Sequence, residues 1–200
     1  MSQPLDFWFD FSSPYGYIGA EKIGALAGRH GRDVTWHPIL LGAVFKVTGG
    51  QPLPMIPLKK DYARKDIERS ARYYGIPLNP PSKFPIAGQA PSRAFYWAAE
   101  QDTAAAKQLA LALYRAFFVD DKDISSPEIT AEVAATLGYA REDILAAIGS
   151  GALKERLRRE TEEAIALGVF GSPYVIVDGE PFWGVDRLDQ LERWLAQGPF

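Results

Sequence analysis

Two serines, Ser12 and Ser13, directly follow an apolar, aromatic stretch at residues 5–11 and are themselves followed by Pro14. The stretch is short and rich in phenylalanine, which predicts a buried β-strand. A serine before a proline is typical of a helix start, with the serine at the N-cap and the proline in the first turn. A helix N-terminus presents unpaired N–H groups and the positive end of its dipole, so this junction can hold a thiolate, carboxylate or phosphate. The alternative is that Ser13 only caps the helix.

The chain contains no cysteine and only two histidines, His30 and His37. Without cysteine it has no disulfide, no thiolate metal ligand and no thiol nucleophile of its own, which excludes a disulfide oxidoreductase. The two histidines flank an expected turn, and such a pair argues against a metal site and against Ser-His-Asp catalysis. We expect His30 to end a helix and His37 to lie in a strand.

Composition places the 200-residue chain among ordinary soluble globular proteins, with 47% hydrophobic residues, 24% charged residues and a net charge of −3. This charge argues against nucleic acid and acidic membranes as partners. No apolar stretch is long enough to span a bilayer, and the first apolar run is too short for a signal peptide. We therefore expect a cytoplasmic location.

The elements that must position Ser13 form a β-α-β unit at the front of the chain. The pattern predicts a strand at 5–11, a helix at 14–29 and a second strand at 34–41. Short connections of this kind imply a right-handed crossover and a parallel strand pair. Residues 42–58 are rich in glycine and proline and are expected to be irregular, either as a functional loop or as a connector.

The middle of the chain carries helical patterns and one proline-rich segment, 76–91, that is expected to lack regular structure. The predicted helices span 59–74, 92–100, 103–118, 126–138, 141–148 and 153–167.

The end of the chain has the pattern of a β-hairpin followed by a helix. Residues 174–177 read as a strand, Asp178 and Gly179 as a two-residue turn, and 181–183 as the returning strand. A final helix is expected to start near Asp186.

Together these pieces predict an α/β protein with a thioredoxin fold, whose β-α-β and β-β-α halves are separated by a large α-helical insertion. Residues 1–45 and 168–200 would form the thioredoxin-like domain, and 46–167 the inserted helical domain with its connecting loop.

Several motifs in this order resemble the DsbA-like thioredoxin superfamily, and within it the kappa-class glutathione transferases and 2-hydroxychromene-2-carboxylate isomerases. The resemblance covers nearly the whole chain, and in the family serine stands where disulfide oxidoreductases have the redox cysteine. The motifs are FSSPY at 11–15, LGAVFK at 41–46, PLKKDY at 57–62, FGSP at 170–173, DG at 178–179 and FWGVDRL at 182–188.

The resemblance implies glutathione as the cofactor. Ser13 would face the glutathione sulfur, and the backbone of Ser172, before a cis Pro173, would pair with the cysteinyl part of the tripeptide as an added strand does. A hydroxyl donor and a helix N-terminus both lower the pKa of a bound thiol. The protein would thus use a thiolate that it does not itself carry.

Further contacts with glutathione are implied for Lys59, Val185 and Asp186. Lys59 would meet a glutathione carboxylate, a backbone N–H at Val185 would meet the γ-glutamyl carboxylate, and Asp186 would meet its ammonium group. The chain departs from the family at Gly50, where asparagine is frequent, and at Val185, which is serine in some relatives. Ser172 also replaces a commonly apolar residue.

The resemblance implies a glutathione-dependent cis–trans isomerase that converts 2-hydroxychromene-2-carboxylate to trans-o-hydroxybenzylidenepyruvate in naphthalene-type degradation. The small aromatic keto-acid substrate needs an apolar slot and a cation, although core packing or simple exposure is the alternative for each candidate. The candidates are Tyr15, Phe84, Tyr96 and Trp183 for the slot, and Lys46 and Arg93 for the cation.

Two other functions stay open. One is a kappa-like glutathione transferase or peroxidase, and the other is a non-catalytic thiol- or peptide-binding module of the same fold. By analogy with relatives we expect a homodimer, and we expect no metal.

Overall fold

A four-stranded mixed sheet lies at the centre of the computed structural model, which describes residues 3–200. Residues 1 and 2 of the predicted thioredoxin-like segment lie outside the described residues. The strand order is β2-β1-β3-β4; β1 and β2 are parallel, and the other two pairs are antiparallel. The strands are β1 (Leu5–Phe9), β2 (Val34–Pro38), β3 (Tyr174–Val177) and β4 (Glu180–Trp183).

Nine α-helices are found within residues 3–200, together with two short 3₁₀ helices at Leu53–Met55 and Val185–Arg187. None of these helices combines the length and the apolar character needed to cross a bilayer. The α-helices are α1 (Pro14–Arg29), α2 (Leu41–Thr48), α3 (Lys59–Tyr74), α4 (Gln89–Ala99), α5 (Thr103–Phe118), α6 (Pro127–Ala135), α7 (Arg141–Gly149), α8 (Gly151–Ala166) and α9 (Leu188–Gln197).

The predicted thioredoxin fold is confirmed, with β1-α1-β2 as one half and β3-β4-α9 as the other. The hairpin turn is also as predicted, because Asp178 and Gly179 both have positive φ angles, 52° and 85°, as a type I′ turn requires. His30 lies at the C-cap of α1 and His37 lies in β2, again as expected.

The sheet and the helical segment share one core. The ring of Phe9 in β1 lies 6.0 Å from that of Phe95 in α4 and 5.8 Å from that of Tyr114 in α5. These side chains are buried, so α4 and α5 pack directly on the sheet. The division into a thioredoxin-like and an inserted domain stays a prediction.

The region after β2 differs from the prediction. The first two strands end at Phe9 and Pro38 rather than at residues 11 and 41, and the irregular segment predicted from residue 42 instead begins as helix α2. The reason lies in Asp10, whose carboxylate accepts a hydrogen bond of 2.7 Å from the N–H of Leu41 and so caps α2. The helix ends at Gly49, which has a positive φ of 71°.

Candidate active site at the start of α1

Ser13 is the N-cap of α1, and its hydroxyl lies at the junction between β1 and the helix. The hydroxyl oxygen accepts a hydrogen bond of 3.0 Å from the N–H of Gly16, and Pro14 occupies the first helical position. The same hydroxyl donates to the backbone carbonyl of Ser172, also at 3.0 Å. The helix start that the sequence predicts is therefore also joined to a loop more than 150 residues away.

The loop before β3 carries the Ser172–Pro173 peptide bond, which is cis, as the family resemblance implied. It packs on α1 at two glycines: a Cβ atom at Gly16 would lie 2.6 Å from the hydroxyl of Ser172, and one at Gly19 would lie 2.9 Å from Cβ of Pro173. Only glycine permits this close approach, since real Cβ atoms do not make contacts below 3.0 Å. These two glycines of α1 thus allow the cis-proline loop to pack beside Ser13.

Asp10 is a site residue that the sequence analysis missed. Its side chain is buried, with 3% exposure, and its carboxylate accepts hydrogen bonds from the backbone N–H groups of Ser12 and Leu41 and from the hydroxyl of Ser12. Burial raises the pKa of Asp10, and the three hydrogen bonds oppose that rise. The available signal was a carboxylate at the end of a mostly apolar strand pattern, next to Ser12 and Ser13.

A cavity of about 630 Å³ opens next to Ser13 and is mostly apolar. Three of the four aromatic residues expected in the substrate slot, Tyr15, Phe84 and Trp183, lie in its wall. Trp183 is 53% exposed and packs against Phe170, with ring centroids 4.8 Å apart. The lining residues are Ser12, Ser13, Pro14, Tyr15, Leu41, Phe45, Thr48, Gly50, Gln51, Pro52, Leu53, Pro54, Ile56, Ile67, Phe84, Pro85, Phe170, Gly171, Ser172 and Trp183.

The segment between α2 and α3 forms one wall of this cavity, through residues 50–54 and Ile56. Of the two interpretations left open for this segment, the structure favours a role in the site over that of a plain connector. Gly50 itself lies in the wall, with its Cα next to the ring of Phe45.

Tyr15 joins the cavity to α3. Its hydroxyl donates a hydrogen bond of 2.6 Å to Asp66, which also pairs with Arg69. Burial and the neighbouring Asp66 carboxylate raise the pKa of Tyr15 well above its ordinary value, so the phenol stays protonated at neutral pH. Tyr15 can therefore form a fixed wall of the cavity but cannot act as an anion, and its single proton is donated to Asp66.

Three of the expected substrate contacts are not brought to the cavity. Tyr96 is buried and its hydroxyl donates to the carbonyl of Pro38 at 2.7 Å. Arg93 donates to the carbonyl of Ile148 at 2.7 Å, so it stabilises the end of α7. Lys46 is exposed in the last turn of α2 and is not in the cavity wall. The cavity wall thus lacks these three residues, since the first two side chains donate to backbone carbonyls and the third faces solvent. Their role in substrate binding stays a prediction.

Lys59, Val185 and Asp186 lie outside the cavity wall, on two separate segments. Lys59 is exposed at the start of α3 and makes no ion pair with any described acidic residue. Val185 begins the short helix before α9, and its carbonyl accepts a hydrogen bond of 2.7 Å from Tyr74. The side chain of Asp186 is 72% exposed. The structure thus leaves both charged groups accessible to a ligand that extends beyond the cavity.

A second cavity, of about 600 Å³, adjoins the first and shares five lining residues with it: Pro14, Pro54, Ile67, Phe84 and Pro85. Two cations one helical turn apart on α3, Lys60 and Arg64, lie in its wall. The acidic residues Asp61 and Glu68 lie in the same wall. Among residues 3–200 there is no cluster of three or more His, Cys, Asp or Glu side chains that could hold a metal ion.

Comparison with known proteins agrees with this geometry. A family model described as a DSBA-like thioredoxin domain matches residues 4–196. The chain belongs to the DSBA-like thioredoxin family. This DSBA-like protein has Ser13 at the helix start. Because the chain contains no cysteine, it has no thiol of its own.

Within the DSBA-like family, the chain falls in the group that holds the 2-hydroxychromene-2-carboxylate isomerases and kappa-class glutathione transferases. It is 32% identical to the glutathione S-transferase kappa 2 of Caenorhabditis elegans, covering 98% of this chain and 92% of that protein. It is also 32% identical to the 2-hydroxychromene-2-carboxylate isomerase of Sphingobium xenophagum, covering 98% and 99%. A solved 2-hydroxychromene-2-carboxylate isomerase structure superposes with a TM-score of 0.88 at 29% identity, covering 98% and 95%. The relatives are thus isomerases and glutathione transferases.

Proposed function

We propose that the protein is a glutathione-dependent cis–trans isomerase of an aromatic hydroxy-keto acid, converting 2-hydroxychromene-2-carboxylate to trans-o-hydroxybenzylidenepyruvate in naphthalene-type degradation. The observation that carries this proposal is the position of the Ser13 hydroxyl: it lies at a helix N-terminus, beside a mostly apolar cavity, in a chain without cysteine. The similarity to isomerases of this name supports the substrate class.

The residues around Ser13 fit glutathione. The N–H of Ser172 donates no hydrogen bond to any described residue, although the residue is only 8% exposed, so this donor suits the backbone of an added peptide. Lys59 and Asp186 are exposed charges that suit a carboxylate and an ammonium group. In the proposal they bind the two ends of the tripeptide, while the N–H of Val185 donates a hydrogen bond to its γ-glutamyl carboxylate.

Ser13 would stabilise the negative charge on the glutathione sulfur, on which the proposed reaction depends. In the proposal the hemiketal ring opens to the unsaturated keto acid, and bound glutathione would supply the thiolate nucleophile. Addition to the double bond would move an electron pair onto the ketone oxygen, and elimination after rotation would return that pair, so the thiolate is recovered without net oxidation. The hydroxyl of Ser13 donates a hydrogen bond to that sulfur, and the N-terminus of α1 adds a favourable field. Together they lower the pKa of the thiol, while Ser13 itself forms no covalent bond.

The cavity would hold the aromatic ring and allow the substrate to rotate about its former double bond. Tyr15, Phe84 and Trp183 supply apolar surface in the wall of the cavity. Since Lys46 and Arg93 do not reach it, we assign the substrate carboxylate to Lys60 and Arg64 in the adjoining cavity. Their attraction is reduced by Asp61 and Glu68 nearby, so it would orient the substrate more than it tightens binding.

The test is the conversion of 2-hydroxychromene-2-carboxylate with and without glutathione, followed by the absorbance of the product. Conversion that depends on glutathione and consumes none supports the proposal. Conversion at the same rate without any thiol would contradict it. Failure to bind glutathione in calorimetry would instead support a non-catalytic thioredoxin-fold module.

A kappa-like glutathione transferase or peroxidase is the second candidate, because the similarity to the Caenorhabditis elegans kappa 2 enzyme is as high as that to the isomerase. A chlorinated nitrobenzene separates the two functions. Stoichiometric loss of glutathione with this substrate, and no turnover of the chromene acid, would favour the transferase.

A homodimer, by analogy with relatives, and a cytoplasmic location, as expected from the sequence, are also part of the proposal. Size-exclusion chromatography with light scattering tests the first, and fractionation of the source cells tests the second.

A further inference from the structure

Asp10 is the residue through which the separate parts of the site are connected. Its carboxylate oxygen Oδ1 accepts from the N–H and the hydroxyl of Ser12, each at 2.7 Å, and Oδ2 accepts from the N–H of Leu41 at 2.7 Å. Its backbone N–H donates to the hydroxyl of Ser172 at 3.0 Å. One residue therefore contacts the turn before α1, the start of α2 and the cis-proline loop.

The backbone carbonyl of Asp10 extends these connections. It accepts hydrogen bonds of 2.9 Å from the N–H of Ser13 and from the hydroxyl of Tyr114 in α5. Burial and the charge of Asp10 raise the pKa of Tyr114 far above its ordinary value, so this phenol remains a donor. Ser13 and Ser172, which are hydrogen-bonded to each other, thus each also form a hydrogen bond with the backbone of Asp10.

The hydrogen bonds favour the ionised form of the Asp10 carboxylate, against the effect of its burial. Each of its oxygens accepts from a backbone N–H, which can only donate: Oδ1 from Ser12 and Oδ2 from Leu41. Two helix N-termini face the group: α2 begins at Leu41, and a Cβ atom on Gly88, the N-cap of α4, would lie 3.5 Å from Oδ1. Such N-termini favour a buried anion.

We propose that Asp10 is the positioning residue of the site, which holds the Ser12–Ser13 turn and the Ser172 loop together so that the Ser13 hydroxyl reaches the sulfur of bound glutathione. This inference rests on the proposed function, because it concerns the same sulfur. It adds a residue that does not touch the ligand and acts through Ser13 and Ser172.

A positioning role of Asp10 and the plain effect of its negative charge predict opposite changes in the pKa of the bound thiol. A buried anion near a thiolate disfavours it, so removing the charge alone would lower the thiol pKa. Asp10→Asn also leaves only one side-chain oxygen that can accept hydrogen bonds. The new NH₂ group faces the backbone N–H of either Ser12 or Leu41, and two donors repel, so that segment is displaced. Because the Ser13 donor would then be misplaced, positioning predicts a higher thiol pKa.

The experiment measures the ultraviolet absorbance of thiolate against pH in the glutathione complexes of the unmodified protein and of Asp10→Asn. We expect the thiol pKa to rise by about one unit and turnover to fall about tenfold or more at fixed pH. A thiol pKa that is lowered, or one that is unchanged while the melting temperature falls, would overturn the inference.

Two further variants control for folding. Thr130→Val removes a buried hydrogen bond of 2.8 Å between Thr130 and the carbonyl of Ile124, and should lower the melting temperature while leaving the thiol pKa unchanged. Ser172→Ala removes the acceptor for the Asp10 N–H and should raise the thiol pKa by a smaller amount. If Asp10→Asn does not fold, an unchanged thiol pKa in Ser172→Ala overturns the inference.

The unmodified protein distinguishes the two possible failures. If it does not bind glutathione, the proposed function and this inference both fall. If it binds and ionises glutathione while the Asp10→Asn and Ser172→Ala complexes have the same thiol pKa, only the role of Asp10 is disproved.

Discussion

The hydroxyl of Ser13 donates a hydrogen bond to the backbone carbonyl of Ser172, 3.0 Å away, and at the same time accepts one from the N–H of Gly16. A serine hydroxyl has one proton, so in this structure that proton is directed at the carbonyl. To donate to a sulfur, the hydroxyl must rotate its proton away from Ser172. In the proposed glutathione complex, the Ser13 hydroxyl would therefore exchange its hydrogen bond to Ser172 for one to the sulfur.

We first predict the effect of Ser13→Ala. A hydrogen bond to a charged group contributes about 1.5–3 kcal/mol, so its loss should lower turnover about 10- to 100-fold. The pKa of the bound glutathione thiol should rise. Loss of the N-cap should also lower the free energy of unfolding by about 1 kcal/mol. Steady-state kinetics and the ultraviolet titration of the complex measure the first two effects, and urea unfolding measures the third.

Ser126→Ala is the matched control, because Ser126 caps α6 and also precedes a proline, Pro127. It should lose similar stability without any change in turnover or in the thiol pKa. Equal losses of activity in Ser13→Ala and Ser126→Ala would mean that Ser13 serves only as a cap.

The second prediction concerns the close approach of α1 to the cis-proline loop. A methyl group at Gly16 would lie 2.6 Å from the Ser172 hydroxyl and 2.8 Å from that of Tyr114. Gly16→Ala should therefore destabilise the protein by about 1–3 kcal/mol and weaken glutathione binding, as measured by unfolding and calorimetry. Gly24→Ala, on the same helix with no atom within 4 Å, should instead be neutral or stabilise it by up to about 1 kcal/mol. The same effect from both substitutions would argue against the packing described here.

Third, Lys59→Gln should weaken glutathione binding. Since Lys59 is exposed, its pair with a carboxylate is worth about 0.2–1 kcal/mol, and the dissociation constant should rise up to about fivefold. The difference should shrink as salt is added, because exposed charges are screened. Calorimetry at two salt concentrations is the measurement, with Lys65→Gln, an exposed lysine on the same helix, as the control. Equal affinity in the unmodified protein and Lys59→Gln would remove this contact from the proposal.

Fourth, Glu160 should make stability depend on pH. Burial alone would raise its pKa, but the hydrogen bond to His37 at 3.3 Å and the nearby Arg156 lower it below the ordinary value of 4.5. A carboxylate with a lowered pKa stabilises the fold above that ordinary value, and the contribution disappears as the pH falls through the pKa in the folded protein. Thermal unfolding of Glu160→Gln should thus show a loss of about 1–2 kcal/mol at neutral pH that vanishes in acid.

The neighbouring Glu163 offers the comparison for this prediction. It is exposed on the same helix and forms no ion pair with a described basic residue, so Glu163→Gln should unfold like the unmodified protein at every pH. A pH-independent loss in Glu160→Gln would show that packing rather than charge is responsible.

Much of the fold depends on interactions between residues close in sequence, and these could be predicted. The Ser13–Pro14 helix start, the Asp178–Gly179 hairpin turn and the alternation of strands and helices each depend on a few neighbouring residues. The absence of cysteine also settled, from composition alone, that any thiol chemistry must use a sulfur from elsewhere.

The contacts that make the site depend on tertiary structure instead. The bond from Ser13 to Ser172 spans 159 residues and that from Leu41 to Asp10 spans 31, so no local pattern could indicate that Asp10 caps α2. Tyr96 and Arg93 looked like ligand contacts because aromatic and basic residues suit an aromatic acid, yet the fold directs both to backbone carbonyls. The sequence by itself determined which local elements form and which nucleophile is missing; tertiary packing decided which side chains face the cavity, because buried polar groups take whichever partner the folded chain brings within reach.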